Sequence, residues 1–282
     1  MARFDISQVS TFVDDLDHPE GLAFAADGYL WAGGERGQVY RISPDGAQVQ
    51  VLAETGGFSL GMAFDTAGNC FVCNHRLPAM VKVTPAGAWS LFADEVEGRK
   101  IRVPNYPVFD PHGNLYVSDS GDWYGNNGVI YRFQPDGRGE IFHPGPFNFT
   151  NGLAIDARGE YLYVVESCTD SVSRIALKRD GTAGARDVFA RGVWHIPDGL
   201  AFDSEGTLYI TCYASNRIYT ADAAGNLSVL VEDPDYTPLA HPTNCAFGGP
   251  KFDELYISNL GRWHISRLPL GVTGQPLYGG LR

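Results

Sequence analysis

Basic residues are scarce in this chain of 282: 21 Lys and Arg stand against 33 Asp and Glu, for a formal net charge of −12. No run of Lys or Arg occurs, which removes nucleic acid and anionic membrane from the expected partners, since both require clustered positive charge. Long apolar runs are also missing, and no stretch approaches the ~20 residues of a membrane-spanning helix. The first residues, MARFDISQVS, lack the apolar segment of a secretory signal, so the expected location is the cytoplasm. Cysteine is sparse and odd in number, with Cys70, Cys73, Cys168, Cys212 and Cys245. Cys70 and Cys73 are three apart, which in a strand sends them to opposite faces. Buried reduced thiols are therefore expected in place of a disulfide or a zinc site. Finally, no window carries an apolar period of 3.6 residues, which excludes helical repeats.

What is present is a repeated phrase. PEGLAF, ending at Phe24, returns in variant form ending at Phe64, Phe109, Ile155, Phe202 and Phe247, at intervals of 40 to 47 residues. Such a period belongs to propeller blades once helical arrays are excluded. Each repeat continues with a turn such as DTAGN or DPHGN, then short segments rich in Val, Ile, Tyr and Phe separated by Gly, Asp, Asn and Pro. This is the pattern of strands and hairpins. The expectation is an all-β chain, a six-bladed β-propeller with four-stranded antiparallel blades, forming one domain over residues 1–282. The sixth repeat lacks a fourth strand, and Ile6–Val13 belongs to no blade of its own. That segment is expected to close the last blade and remove its open edge.

One column of the repeat carries chemistry. Four residues before each terminal Phe or Ile stand Glu20, Leu60, Asn105, Asn151, Asp198 and Thr243. The first strand of a propeller blade lines the central channel, so this column gathers at one mouth. Glu20, Asn105, Asn151 and Asp198 form an all-oxygen set suited to a hard cation such as Ca²⁺, with Mg²⁺ or Mn²⁺ admitted. Asn-Gly and Asp-Gly are also ordinary hairpin dipeptides. However, each repeat already has its turn a few residues later, and a local turn gives no reason for four oxygen donors in one column.

With PEGLAF, TNGLAID, PDGLAFD and the closing CAFGGPKFDELYISN, the chain resembles the SMP-30/gluconolactonase family over nearly its whole length. The resemblance implies one divalent cation held by Glu20, Asn151 and Asp198, with Ca²⁺ first and Mg²⁺, Mn²⁺, Zn²⁺ or Fe²⁺ as alternatives. Asn105 matches an Asn that contacts substrate or metal in the family and in the related diisopropyl-fluorophosphatase type. The implied activity is opening of a small lactone, either a sugar lactone or a more apolar one, with Asp198 as the group that orients or deprotonates water. The alternatives are phosphotriester hydrolysis at the same cation and a non-catalytic ligand-binding propeller. The chain departs from sugar-lactone members in one region. Val103 and Tyr106 replace an Arg and an Asp around Asn105, Arg102 is displaced by one, and Trp123 replaces an acidic residue. The mouth therefore reads as aromatic, with Tyr106, Trp123, Tyr124, Phe149 and Tyr213. Asn105, Tyr106, Trp123, Phe149 and His195 are the expected substrate contacts. A monomer or small homo-oligomer is expected.

Other signals rank lower. Gly57–Gly61 fits G-x-S-x-G but opens a repeat strand where a nucleophile elbow needs a strand–turn–helix. His18, His195 and His241 are expected mainly as loop residues near the mouth. Asp119, Glu166 and Asn259 follow second strands and are expected to satisfy buried backbone groups.

Overall fold

The Asp-containing turns predicted from the repeats close as the sequence implies. In DTAGN and DPHGN the Asp65 and Asp110 Oδ1 atoms accept from the amides two and four residues on, at 2.8 to 3.0 Å. Gly68 and Gly113 supply the positive φ, 80° and 83°, that such a turn demands. In a computed structural model describing residues 2–280, these turns fold the chain into six four-stranded antiparallel sheets.

The first strands of the blades are Leu22–Phe24, Ser59–Phe64, Pro104–Phe109, Thr150–Ile155, Pro197–Phe202 and Pro242–Gly248. Each packs against the next and the sixth against the first, so they form a closed inner ring. The core is divided among the seams between blades. Tyr106, Val108 and Ile130 of blade 3, for example, pack with Leu153, Ile155 and Val164 of blade 4.

The ring closes at the N-terminus, over a shorter strand than expected. Ser10–Val13 pairs antiparallel with His264–Pro269 of blade 6. Ile6–Gln8 is instead a single 3₁₀ turn, held by a capping box between Asp5 and Gln8. Before that turn, the Arg3 and Phe4 amides donate to Val229 and Leu230 carbonyls on the outer strand of blade 5. A small hairpin, Glu95–Val96 with Arg99–Lys100, is an addition the repeats do not announce.

The C-terminal stretch, which fits no strand, has its own place. Gln275 donates through its backbone to Phe202 and through Nε2 to Ile155, and Gly280 bridges to Ala25. The tail thus crosses the end of the channel opposite the Glu20 column. Between tail and column lies a cavity of about 80 Å³, walled by apolar residues that include Ala63, Ala154, Ala201 and Leu277.

Candidate metal centre

Five of the six column residues sit in β-bulges, and Glu20 lies just before the first strand of blade 1. In blade 3, Pro104 pairs with Asp119 and the next pair is Pro107 with Val117, so the inner strand carries one residue more than its partner. The same step occurs at Ser59/Met62, Thr150/Leu153, Pro197/Leu200 and Pro242/Cys245. A bulge breaks the ladder locally and re-aims a side chain. Here it falls in each case on the column residue and the one after it.

A bulge also frees an amide, and hydroxyls on the second strands take it. Ser118, Thr211 and Ser258 accept from the amides of Tyr106, Gly199 and Asn244 at 2.8 to 3.0 Å. Each then donates across the seam to a column carbonyl of the next blade: Ser118 to Asn151 at 2.8 Å, Thr211 to Thr243, and Ser258 to Glu20 at 2.6 Å. Glycine follows the column residue where blades approach most closely. A Cβ on Gly152 would lie 2.4 Å from the Asp198 carbonyl oxygen.

Two serines orient the amides. Ser120 Oγ donates its proton to the Thr150 carbonyl at 2.5 Å and Ser167 Oγ donates to the Pro197 carbonyl at 2.8 Å. Each Oγ can then only accept from an asparagine, Asn105 Nδ2 at 3.2 Å and Asn151 Nδ2 at 3.3 Å. With both amino groups committed, both Oδ1 atoms face away from the serines. Sequence reasoning missed Ser120 and Ser167, although Asp-Ser and Glu-Ser follow the second strand in just the two blades with a column Asn.

In the column this leaves four buried acceptors without a partner, Glu20 Oε2, Asn105 Oδ1, Asn151 Oδ1 and Asp198 Oδ1; outside it Thr150 Oγ1, Asn244 Oδ1 and Gln275 Oε1 are partnerless too. Their residues are only 5 to 6% exposed, so bulk solvent barely reaches them. An unsatisfied buried polar group costs roughly 1–3 kcal/mol and a charged one more. Burial, reinforced by the Asp198 charge, pushes the Glu20 carboxyl well above its ordinary range. Burial also pushes Asp198 well up, with the neighbouring Asn151 side chain acting the other way. A hard divalent cation would answer both problems, because it takes oxygen lone pairs as ligands and favours ionised carboxyls. The donor set fits such an ion.

The other column positions have other work. Leu60 is a buried apolar residue. Thr243 Oγ1 donates to the Glu20 carbonyl at 2.8 Å and so braces a donor residue through its backbone.

The expected substrate contacts separate. Trp123 and His195 are exposed on loops, Phe149 is half-buried, and Trp123 packs on Phe149 at 4.5 Å. Tyr106 requires a correction. It is buried beneath the column with its ring against Gly61 of blade 2, and it lines the channel cavity instead of the mouth. The bulge gives it the place that glycine holds in four other blades, and the ring fits only because Gly61 has no side chain.

Among the lower-ranked signals, Ser59 of G-x-S-x-G is wholly buried and meets the Thr55 hydroxyl at 3.3 Å, which leaves no nucleophile. Asp119, Glu166 and Asn259 accept the amides of Val103, Asn148 and Ala240 at 2.9 to 3.1 Å, fixing the loop that leads into each inner strand. His18 Nδ1 lies 3.1 Å from Asp17 and 2.8 Å from Glu35. His241 Nδ1 lies 3.1 Å from the Tyr213 carbonyl. The cysteines are free, and burial pushes the Cys245 thiol up to about 12, an inert state.

The same arrangement of chain recurs in known proteins. A gluconolactonase from Xanthomonas campestris superposes with a TM-score of 0.80 at 24% identity over 93% of this chain and 89% of its own, which establishes the shared fold. In sequence, Strictosidine synthase-like 4 of Arabidopsis thaliana is 25% identical over 300 residues, covering 90% of this chain and 80% of that protein. The gluconolactonase of Zymomonas mobilis is 27% identical over 223 residues, 71% of this chain and 60% of the relative. The model of the SMP-30/Gluconolactonase/LRE-like region matches residues 19–260, and the chain belongs to that family.

Proposed function

We propose that this protein is a divalent-metal-dependent hydrolase that opens a small lactone, with Glu20, Asn105, Asn151 and Asp198 holding the cation, Ca²⁺ first. The observation that carries the reading is the set of four partnerless buried oxygens, one from each of four blades. The gluconolactonase named above supports the lactone as substrate class, and this chain's intact Glu, Asn and Asp set it apart from a metal-free propeller.

When bound, the cation would polarise the lactone carbonyl and stabilise the negative charge that develops on its oxygen. The chain supplies the rest. Asn105 and Asn151 hold fixed dipoles toward the reacting centre, pre-set by Ser120 and Ser167, so little reorganisation is needed during reaction. Asp198 presents a partnerless Oδ1 to the centre and is the carboxylate that would accept a water proton. As water adds to the carbonyl carbon, Asp198 takes that proton, and as the ring C–O bond breaks it returns it to the departing oxygen. Trp123, Phe149 and His195, at the mouth, would contact the remainder of the lactone.

The test is elemental analysis of the purified protein followed by lactone hydrolysis with and without chelator. About one equivalent of divalent metal is expected, with turnover lost on chelation and restored by Ca²⁺. Asp198→Asn should lower kcat by about 10²–10⁴-fold, the range of a general base. Full activity in metal-free protein, or an unchanged rate in the variant, would remove the proposal.

A further inference from the structure

The loops at the column end of the propeller differ in kind from the tight Asp-containing turns at the other end. Six aromatic side chains among the described residues are exposed: Trp89, Trp123, Tyr124, Trp194, Tyr236 and Trp263. All but Trp89 lie on loops that join second to third strands or lead into inner strands, which is the column end. Three of these rings lean on residues two places before column positions. Trp123 packs on Phe149 at 4.5 Å, Trp263 on His18 at 4.4 Å, and Tyr236 on His241 at 5.5 Å. Phe149, His18 and His241 all have positive φ, 60°, 46° and 54°, which is uncommon for residues other than glycine. Exposed aromatic surface gathered on one end, over strained backbone beside a buried centre, marks a binding site.

Several charged side chains of the same rim are occupied with each other. Arg102 donates to Asp122 at 2.6 Å, and Glu35 receives both His18 and Arg76. Asp170 faces His195 at 3.5 Å. A polyhydroxylated lactone needs free donors and acceptors to replace the water it sheds on binding. With these charged groups paired, the rim's most prominent exposed feature is its ring faces.

We propose that the aromatic rim is a substrate subsite and that the lactone accepted here carries an aryl or alkyl group in place of a set of hydroxyls. The inference rests on the lactonase reading above.

Two probes separate the classes: dihydrocoumarin, an aryl-fused lactone, and glucono-δ-lactone. In metal-loaded protein kcat/KM should favour dihydrocoumarin. The double variant Trp123→Ala/Trp263→Ala should lose about tenfold of that kcat/KM, mainly through KM, as expected for one or two lost ring contacts. The variant with Phe at both positions should recover most of it. Binding is read independently of turnover by titrating metal-stripped protein with 3,4-dihydroquinolin-2-one, the unreactive lactam, and following tryptophan fluorescence. Saturable quenching that weakens in the double Ala variant is expected. A preference for glucono-δ-lactone, or an aryl preference untouched by the Ala variant, would overturn the subsite. Failure of both lactones to react in metal-loaded protein would instead overturn the lactonase reading, while the lactam titration would still decide whether the rim binds aryl rings.

Discussion

A buried asparagine can turn its oxygen toward a cation only if something else takes its amino group. Ser120 and Ser167 do this for Asn105 and Asn151, and each can do so because its own proton is committed to a carbonyl of the next blade. Replacing such an outer partner usually costs about 10–100-fold in metal affinity. Ser167→Ala should therefore weaken cation binding by about that factor, measured by calorimetric titration of chelator-stripped protein. The fold should survive, since the substitution removes one oxygen without adding bulk. Unchanged affinity would mean that the Asn151 oxygen is not held for a cation. At this scale the column residues were legible in sequence and their supports were not. Glu20, Asn105, Asn151 and Asp198 stand in one repeat column, whereas a serine after a strand looks like any loop serine. Tyr106 was misplaced for a related reason: side-chain direction at a bulge is not set by strand alternation.

The strands themselves were nearly all written in the repeats, because each is short, apolar and bounded by turn residues. The bulges were not, since one extra residue in a ladder leaves no mark on composition. The tail at the far end of the channel was invisible for a different reason: it holds on through single contacts, the backbone and Nε2 of Gln275 and a bridge at Gly280, and not through a repeating pattern of side chains. The closing strand is the element with most at stake. Ser10–Val13 supplies the fourth strand of blade 6, Phe12 meets Tyr256 edge-on at 4.9 Å, and Leu16 is 2% exposed within the seam core. Residues 3 and 4 reach further, to blade 5. Removing residues 1–15 takes away a strand, its seam contacts and the cover over a sheet edge at once. The truncated chain should lose cooperative unfolding in denaturant, seen as non-coincident fluorescence and circular dichroism transitions. Coincident transitions at the full-length midpoint would show that the ring closes without this strand.

For the whole molecule, the centre is a liability that the proposed cation would convert into a tie between blades 1, 3, 4 and 5. Burial raises the Glu20 and Asp198 carboxyls in the folded chain, so without metal the folded state binds more protons than the unfolded state across the window from the ordinary carboxylate range up to the raised values. Stability falls with rising pH wherever the folded state holds the extra protons. The contribution of this pair is therefore fully present below the ordinary carboxylate range and is lost as pH rises through the raised values. A bound cation holds both groups ionised, so its affinity should rise with pH and its uptake should release protons. At a free concentration of about 100 times Kd it adds about 2.7 kcal/mol of stability. Thermal unfolding from mildly acidic to neutral pH should show the two states diverging, with the metal-loaded midpoint gaining on the metal-free one as pH rises. Other carboxylates titrate too, so the decisive comparison is with metal-free Asp198→Asn, which lacks one acid of the pair and should lose less stability over the same window. If metal-free wild-type and variant follow parallel pH curves, the two carboxylates are not burdened by burial and the case for a cation between the blades falls with them.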